Sequence, residues 1–304
     1  MNPDICAAID IGSNAIRLLI NNIEENRTAP DFKKLAYLRV PIRLGDDVFT
    51  SGRISRGKEG QLIHAMQGFS HIMKAYGVMD YRACATSAMR DAENGKSIVE
   101  DIRRESGIKI EIISGREEAE IIYEAGQLAG LMDKRKNYLS VDVGGGSTEI
   151  VLYSNQQKVT YCSFELGTVR MLVDAVKVGE KKRFREWLKE IARNNSLMSI
   201  VASGGNINKV YKILNKREKE PLSYGDIKGL YDTLKPLSYE ERIQLYKLNP
   251  YRADVIVPAL EIFLTISKIC KVDEIYVPKV GLSDGIVYHL YQERKKTGNK
   301  TVPR

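Results

Sequence analysis

The sequence predicts an α/β protein with two domains, and three observations support this prediction. The chain has 304 residues, which is enough for two domains of ordinary size. Apolar strand-like runs alternate with segments of helical periodicity. A glycine-containing hairpin occurs near residue 10 and again near residue 142, so the pattern restarts within the chain. We therefore predict domains at 1–124 and 125–304, with the boundary inferred from this repeat.

The first half begins with the first copy of the hairpin and continues as strands followed by helices. The predicted elements are two strands in 4–23, a strand in 33–43, a helix in 51–76, a strand in 81–85, a helix in 97–107 and a strand in 109–113. Gly77 follows the long helix as a typical stop signal. Polar residues follow the strand that ends at Ala85, and open α/β sheets bind ligands at such strand ends.

The second half repeats this order. A helix opens at Ser114 and runs to about Leu131. The elements predicted after it are the hairpin in 138–153, a strand in 158–164, helices in 180–195, 207–214, 226–235 and 254–271, a strand in 274–277 and a last helix from residue 286. No run approaches the roughly 18 apolar residues of a membrane span, and the start lacks a signal-peptide pattern. We therefore expect a cytoplasmic protein that does not contact membranes.

The hairpin in 138–153 is the stretch around which the chain is organised. Three consecutive glycines, from Gly144 to Gly146, join two apolar runs, and because glycine has no Cβ and tolerates positive φ, we expect their backbone to approach a ligand closely. Asp142 enters the turn, and Glu149 leaves it. Peptide N–H groups in such a turn bind anions, and two carboxylates can hold the neutralising cation. The pattern predicts phosphate together with a divalent metal.

The first copy of the hairpin has the same aspartate, glycine and small-residue turn. Aligning Asp10 with Asp142 places Arg17 where the second copy has Glu149. Arg17 either faces the cleft or is an exposed strand residue, and the sequence favours neither. A third glycine turn, in 203–206, follows another short strand and opens a helix. Three glycine turns at strand ends form a much more specific pattern than one.

Glu118 is the acidic residue without an obvious local role. Ser114 and Glu117 have the spacing of a capping box, in which each side chain satisfies a free backbone N–H of the other residue. Glu117 therefore has a structural role, whereas Glu118 lies close to the predicted cleft. A carboxylate at a helix N-terminus stabilises the helix dipole by at most about 1 kcal/mol. From the residues alone, this structural role and a catalytic role for Glu118 have equal weight.

The composition limits the partners and the redox chemistry. Lys and Arg outnumber Asp and Glu by 47 to 39, and the formal charge of +8 suits an anionic substrate. Charge is the sole feature that favours nucleic acid, so we do not expect nucleic-acid binding. The four cysteines lack metal-ligand spacing, and we expect them to be buried free thiols: Cys6, Cys84, Cys162 and Cys270.

Five ordered motifs resemble the exopolyphosphatase and guanosine pentaphosphate phosphohydrolase (Ppx/GppA) family. They are Asp-Ile-Gly-Ser-Asn at 10–14, Ala-Thr-Ser-Ala-Met-Arg-Asp-Ala at 85–92, Ile-Ile-Ser-Gly-Arg-Glu-Glu-Ala at 112–119, Asp-Val-Gly-Gly-Gly-Ser-Thr-Glu at 142–149 and Gly-Leu-Ser-Asp-Gly at 281–285. The resemblance implies two ribonuclease-H-like domains of the actin, sugar kinase and Hsp70 superfamily, facing across a cleft. It also implies that the C-terminal helix, 286–296, packs back on the first domain.

The resemblance assigns roles to single residues. Glu118 corresponds to the catalytic carboxylate, which orients or deprotonates the attacking water. Asp142 and Glu149 match the acidic pair associated with Mg²⁺ (or Mn²⁺) and with that water, and Asp10 is expected beside the metal. Arg90 matches the phosphate-clamping arginine. The other expected phosphate contacts are Ser13, Asn14, Gly144, Gly145, Gly146, Ser147, Gly204, Gly205 and Asn206.

By this resemblance we expect a Mg²⁺-dependent phosphohydrolase that releases terminal phosphate from inorganic polyphosphate or guanosine pentaphosphate. Relatives are often dimers, so a homodimer is a further expectation. Asn206 stands where many members have Thr, and Ala259 stands where Gly is common, so ligand preference is open. None of the three histidines precedes an aspartate, so we expect no HD-type domain, and the binding of very long polyphosphate, to which that domain contributes in relatives, is left open.

Two alternatives belong to other functional classes. The altered Asn206 turn is also compatible with a regulator that binds guanosine tetraphosphate (ppGpp) without hydrolysing it. The glycine turns alone suit the phosphates of ATP, so an ATP-dependent kinase or ATPase of the wider superfamily is the second alternative. The motifs at 85–92 and 112–119 argue against it.

Overall fold

The computed structural model describes residues 4–25, 30–128, 137–155, 157–195 and 198–297. The elements of the first half are β1 (Asp4–Ile11), β2 (Ile16–Glu24), β3 (Asp31–Val40), α1 (Leu44–Ser51), α2 (Arg56–Ala75), β4 (Asp80–Ala85), α3 (Ser87–Asp91), α4 (Gly95–Ser106), β5 (Ile110–Ile112) and α5 (Gly115–Leu128). The elements of the second half are β6 (Asn137–Val143), β7 (Thr148–Ser154), β8 (Gln157–Phe164), α6 (Thr168–Leu172), α7 (Glu180–Asn194), β9 (Met198–Ser203), α8 (Gly205–Ile213), α9 (Tyr224–Leu234), α10 (Tyr239–Tyr246), α11 (Pro250–Ala253), α12 (Ile256–Cys270), β10 (Ile275–Tyr276) and α13 (Leu282–Thr297).

The strands form two five-stranded sheets with the same topology. The strand order is β3-β2-β1-β4-β5 in the first sheet and β8-β7-β6-β9-β10 in the second. In each sheet three successive strands pair antiparallel, and two later strands add in parallel on the other side. The parallel additions require crossover connections, which helices provide. The predicted two-domain α/β fold class is confirmed, and the repeat extends from the hairpins to whole sheets.

Each sheet has its own hydrophobic core. In the first core, Leu62, Met66 and Phe69 of α2 are at most 2% exposed and pack with one face of β1 and β2. In the second core, Phe164 at the end of β8 meets Phe184 of α7 edge to face at 5.0 Å. Of the helices within the described ranges, none has the length and hydropathy that a bilayer span requires.

Helix α13 lies against the opposite face of the first sheet. Its residues Ile286, Val287 and Leu290 pack with Cys6 and Cys84. The last helix within the described residues therefore completes the burial of the first sheet. Because α5 contacts α13 as well as β7 and β8, the exact domain boundaries at 1–124 and 125–304 stay a prediction.

The cysteines follow the expected pattern with one exception. Burial raises the pKa of the Cys6, Cys84 and Cys270 thiols to about 12, which keeps them protonated. Cys162 is half-buried, so the expectation of four buried thiols is wrong for this residue.

The stretch between the first sheet and α2 differs from the predicted pattern. The sequence predicts one strand to residue 43, whereas β3 ends at Val40 and the separate helix α1 follows. Arg43 adopts the left-handed conformation before α1, and Gly52, with φ of 75°, ends that helix. Ser55 then caps α2. The eight residues of α1 are too few to show a helical periodicity of their own, so the pattern alone misses this helix. The end predicted for α5, at 129–131, lies outside the described residues.

Candidate active site

The two hairpins carry matching residue pairs next to their turns. Asp10 lies opposite Arg17 in the β1–β2 register, and Asp142 lies opposite Glu149 in the β6–β7 register. This register confirms the alignment of the two copies made from the sequence. The two pairs differ in charge, because the first pair is oppositely charged and the second pair consists of two carboxylates.

The glycines of the second turn are required by close packing rather than by positive φ. Gly144, Gly145 and Gly146 lie outside the left-handed region, so positive φ does not explain them. A Cβ on Gly146 would lie 2.3 Å from Ser87 Oγ, and a Cβ on Gly145 would lie 3.0 Å from the Ser13 side chain. The turn needs glycine because it packs directly against the first half of the protein. The third turn does use positive φ, since Gly204 has φ of 107°.

A cluster of three carboxylates lies beside these turns. Oxygens of Glu118, Asp142 and Glu149 lie within 4.8 Å of one another. Glu118 is 8% exposed and Glu149 is 1% exposed. The structure thus brings together the three residues predicted to be catalytic, although Glu118 comes from a helix and the other two come from one hairpin.

The first turn of α5 directs Glu118 toward this cluster. Ser114 Oγ accepts a hydrogen bond from the Glu117 N–H at 3.2 Å, which is one half of the predicted capping box. The Glu117 carboxylate turns the other way and accepts a hydrogen bond from Arg82 at 2.7 Å. Glu117 is therefore held on the outer side of the helix, and Glu118 is left for the cleft.

Burial and mutual repulsion raise the pKa values of the clustered carboxyls. Burial first, and then Glu149 and Asp142, hold the pKa of Glu118 well above its ordinary value. Burial and the neighbouring Asp142 raise the pKa of Glu149 to about 7. Burial also raises the pKa of Asp142, although Ser203 Oγ donates a hydrogen bond to this carboxylate at 2.6 Å. Arg90 opposes the shifts at both glutamates.

The cluster has the properties of a site for a divalent cation. Oε2 of Glu118 and Oε2 of Glu149 are buried, and neither has a hydrogen-bond partner among the described residues. Buried carboxylate oxygens without partners are costly unless a proton or a cation satisfies them. Carboxylate oxygens are also the ligands that Mg²⁺ and Mn²⁺ prefer. The residues present therefore fit a bound divalent metal.

Asp10, the third predicted metal ligand, has a different partner. Its carboxylate accepts a hydrogen bond from Arg17 Nη1 at 2.5 Å. It is not a member of the group formed by Glu118, Asp142 and Glu149. Arg17 lines the cleft, which answers the question that the sequence left open. A metal-binding role for Asp10 stays a prediction, and the ion pair makes Asp10 the less available of the predicted ligands.

A cleft of about 400 Å³ leads to the cluster. Most of the predicted phosphate-binding residues line it, namely Ser13, Asn14, Gly144, Gly145, Gly204, Gly205 and Asn206. Arg90 and Ser147 instead line a second cavity of about 370 Å³. Gly146 is packed against Ser87, as described above. The structure therefore divides the predicted phosphate contacts between two spaces.

Arginines that the sequence did not single out converge on the cleft. Arg39 of β3 lies opposite Arg17 in the strand register, and Arg252 of α11 reaches the cleft from the second half. Burial and Arg17 lower the pKa of Arg39. Burial and Arg39 lower the pKa of Arg252 to about 10, at which it is still charged at neutral pH. Lys279 lines the same cleft.

The convergent arginines have few acceptors. Nε of Arg39 is buried and has no hydrogen-bond partner among the described residues. Arg252 donates to the carbonyl oxygen of Gly205 and, at 3.4 Å, to Oδ1 of Asn206, which are both neutral acceptors. Crowded cations with neutral or missing partners favour a bound anion with several charges. One feature of the sequence could have indicated Arg39 as a functional residue. It stands two residues after Tyr37, so both side chains share one face of the strand.

Arg170 joins the two halves beside the site. Its Nη2 donates to Asp91 at 2.5 Å, and its Nε donates to the carbonyl oxygen of Gly146 at 2.8 Å. Its guanidinium also lies 4.0 Å from the centre of the Phe49 ring. Asp91 and Phe49 belong to the first half of the chain, so a nearly buried arginine fixes the glycine turn against it.

Two copies of one mixed sheet around a shared cleft define the actin-like ATPase fold. The model of the Ppx/GppA phosphatase family matches residues 20–294, and the chain belongs to this family. The resemblance inferred from the five motifs is thereby confirmed.

Curated relatives carry both names of the family. The chain is 24% identical over 302 residues to a guanosine-5'-triphosphate,3'-diphosphate pyrophosphatase of Aeromonas salmonicida, covering 95% of the chain and 60% of that relative. It is 28% identical over 185 residues to exopolyphosphatase 1 of Mycobacterium tuberculosis, covering 59% of the chain and 48% of that relative. It is 32% identical over 173 residues to a bifunctional 3-dehydroquinate synthase/phosphatase of Fusobacterium nucleatum, covering 56% of the chain and 26% of that relative. The matches thus span at most 60% of these relatives' length.

Solved structures agree with the fold. The Ppx/GppA family member of Aquifex aeolicus superposes with a TM-score of 0.75 at 28% identity, covering 95% of this chain and 98% of that one. An exopolyphosphatase of Cytophaga hutchinsonii superposes with a TM-score of 0.83 at 23% identity, with the same coverage. The second likeness supports the fold alone.

Proposed function

We propose that this protein is a divalent-metal-dependent phosphohydrolase that removes the terminal phosphate from inorganic polyphosphate or guanosine pentaphosphate. The observation that carries the proposal is the buried cluster of Glu118, Asp142 and Glu149 below a cleft lined by arginines. Family membership and the names of the curated relatives support this reaction and both substrates. We also propose that the protein works in the cytoplasm and that it forms a homodimer.

Glu118 is the proposed general base. A carboxyl whose pKa is raised toward the working pH is a strong enough base to take a proton from water while it is still partly ionised. Burial and the two neighbouring carboxylates raise the pKa of Glu118 in this direction. Its partnerless Oε2 is the proposed acceptor for the proton of the attacking water.

Asp142 and Glu149 are the proposed metal ligands. Ser203 orients Asp142 through a hydrogen bond of 2.6 Å, and Ser163 orients Glu149 through one of 3.1 Å. When bound, Mg²⁺ or Mn²⁺ supplies positive charge that neutralises the phosphoryl oxygens. The hydroxyl partners hold both carboxylates in place, so that their remaining oxygens point to the shared site.

The arginines of the cleft are the proposed binders of the remaining phosphates. A guanidinium presents a planar fork of donors that matches phosphate oxygens. Arg39 has a free buried donor, and Arg252 lines the same cleft. A chain of phosphates that runs from the carboxylate cluster to these arginines would satisfy the groups that lack partners.

The proposal is tested by measuring orthophosphate release from tripolyphosphate, long-chain polyphosphate and guanosine pentaphosphate, with Mg²⁺ and with EDTA. We expect Mg²⁺-dependent release that Glu118→Gln lowers by about 10²-fold or more. Glu117→Gln is the matched control, because Glu117 is adjacent but bonds to Arg82, and we expect its activity within about threefold of the parent. No release from any of these substrates, or full activity of Glu118→Gln, would contradict the proposal.

The same preparations separate the alternatives. Calorimetric binding of ppGpp without release of phosphate from any substrate would favour a regulator that does not hydrolyse it. Hydrolysis of ATP in preference to both proposed substrates would favour an ATPase or kinase of the wider superfamily.

A further inference from the structure

A second cavity is lined by residues that bond to the carboxylate cluster. It has a volume of about 370 Å³, and its walls come from α3 in the first half and from β8 and α7 in the second. Among the described residues, the cavity and the cleft have no lining residue in common. We call this space the rear cavity. The two spaces are therefore separate approaches to one region of the protein.

Two serines connect the rear cavity to the cluster. Ser163 Oγ donates to Glu149 Oε1 at 3.1 Å, and the Ser147 side chain also hydrogen-bonds to Glu149. Both serines line the rear cavity. On the other side, Glu118 and Asp142 line the cleft. Two members of the cluster thus line the cleft, and the third is bonded to two hydroxyl side chains of the rear cavity. We call the cluster together with these serines the partition.

The charges around the rear cavity suit an anion that passes through without being trapped. Arg90 stands at the inner end, where its charge acts on Glu118 and Glu149, and it donates to the neutral Ile113 carbonyl at 2.8 Å. Nearer the surface the cations are balanced by carboxylates. Lys177 pairs with Glu165 at 2.8 Å, and Arg183 pairs with Glu180 at 2.6 Å. Passage requires binding that is favourable enough for entry and weak enough for departure.

We propose that the rear cavity is the exit route for orthophosphate, the product released at the carboxylate cluster. This inference rests on the proposed function. In that function the remaining phosphates of the substrate occupy the cleft beside Arg39 and Arg252, so the cleaved phosphate is enclosed between them and the partition. Departure past Ser147 and Ser163 lets the product leave while the shortened chain stays in the cleft. The enzyme can then cleave the same chain again.

The inhibition pattern of orthophosphate tests this route. If phosphate enters from the rear while the cleft holds a chain, added orthophosphate lowers kcat even at saturating long-chain polyphosphate. If phosphate and chain share the cleft, saturating polyphosphate abolishes the inhibition. We expect the first pattern. Purely competitive inhibition of an active enzyme overturns the exit route alone, whereas a protein that releases no phosphate overturns the route together with the proposed function.

A charge reversal at the outer end of the rear cavity gives a second test. Lys177→Glu places a carboxylate beside Glu165, so orthophosphate should rebind less well, and we expect its inhibition constant to rise about fivefold. The KM for polyphosphate should stay within about twofold, because Lys177 does not line the cleft. Lys189→Glu, an exposed change on α7 away from the cavity lining, is the matched control. Equal inhibition constants for the two variants, or a matching rise in KM, contradict the route.

Discussion

Asp142 lies directly opposite Glu149 on the β6–β7 hairpin, so two carboxylates occupy one cross-strand pair. In the β1–β2 hairpin the same positions hold Asp10 and Arg17, which form an ion pair at 2.5 Å. Like charges that face each other across a sheet are destabilising. The second hairpin therefore keeps an unfavourable pair that a bound cation or a proton relieves.

Stability of the metal-free protein should depend on pH through Glu149. Its pKa is raised from the ordinary 4.5 to about 7, so the folded protein holds a proton that the unfolded chain has lost between these values. The stabilisation that this bound proton gives the folded protein is complete below about pH 4.5 and is lost as the pH rises to about 7. In EDTA at pH 8, we expect Glu149→Gln to raise the free energy of unfolding by up to about 3 kcal/mol. Urea unfolding followed by circular dichroism measures this difference in the free energy of unfolding.

A change of pH and the addition of metal provide the controls for the Glu149→Gln substitution. The gain should shrink toward zero near pH 4.5, where both side chains are neutral. Mg²⁺ at pH 8 should stabilise the parent protein but not the variant, because the variant lacks one proposed ligand. Glu190→Gln, an exposed change on α7, should have no effect. A gain of equal size at both pH values would show that repulsion is not its cause.

Arg39 should contribute to binding at the expense of stability. It faces Arg17 across the strands, and its buried Nε lacks a partner, so Arg39→Met should raise the free energy of unfolding by about 0.5–1 kcal/mol. The same change removes a charged phosphate donor and should raise the KM for tripolyphosphate about tenfold. Steady-state kinetics and thermal unfolding with and without tripolyphosphate measure both effects. Lys33→Met, an exposed change on β3, is the control, and loss of stability in Arg39→Met would refute this account.

Two glycine-to-alanine changes should have opposite effects. A Cβ on Gly167 would lie 2.4 Å from the carbonyl carbon of Gly146, and backbone atoms cannot move aside as a side chain can. We expect Gly167→Ala to cost about 3 kcal/mol. Gly68 is exposed within α2 with open space around it, so Gly68→Ala should stabilise by about 0.5–1 kcal/mol. Chemical denaturation of both variants compares them, and equal effects would refute the packing argument.

The Arg170–Asp91 pair should be strongly coupled. Arg170 is nearly buried and also bonds to Gly146, so loss of Asp91 leaves a buried guanidinium without its nearest carboxylate. A double-mutant cycle with alanine should give a coupling energy of about 2 kcal/mol. The exposed pair Arg53–Glu93 is the matched control, with at most about 0.5 kcal/mol expected. Similar values for the two pairs would mean that Arg170 does not tie the halves together.

The parts of the site that could be predicted from the sequence are formed by residues that lie close together along the chain. The two hairpins, the residue pairs beside their turns and the distinction between Glu117 and Glu118 all depend on local spacing. The convergence of Arg39 and Arg252 could not be predicted, because these residues are far apart in sequence and meet through packing of the two halves. The packing role of the glycines could not be predicted for the same reason. Gly146 is required by Ser87, a residue of the other half.

Helix α13 has a consequence for how the protein is made. During synthesis the first sheet emerges from the ribosome long before residues 282–297, which cover one of its apolar faces. Until then the face that includes Cys6, Ala8 and Cys84 lacks the cover of α13, on a nascent chain that already has the five described strands of this sheet. Exposed apolar surface promotes aggregation and recruits chaperones. The first half therefore has to wait for the end of α13 before it reaches its native burial, so the chain cannot complete its folding one half at a time.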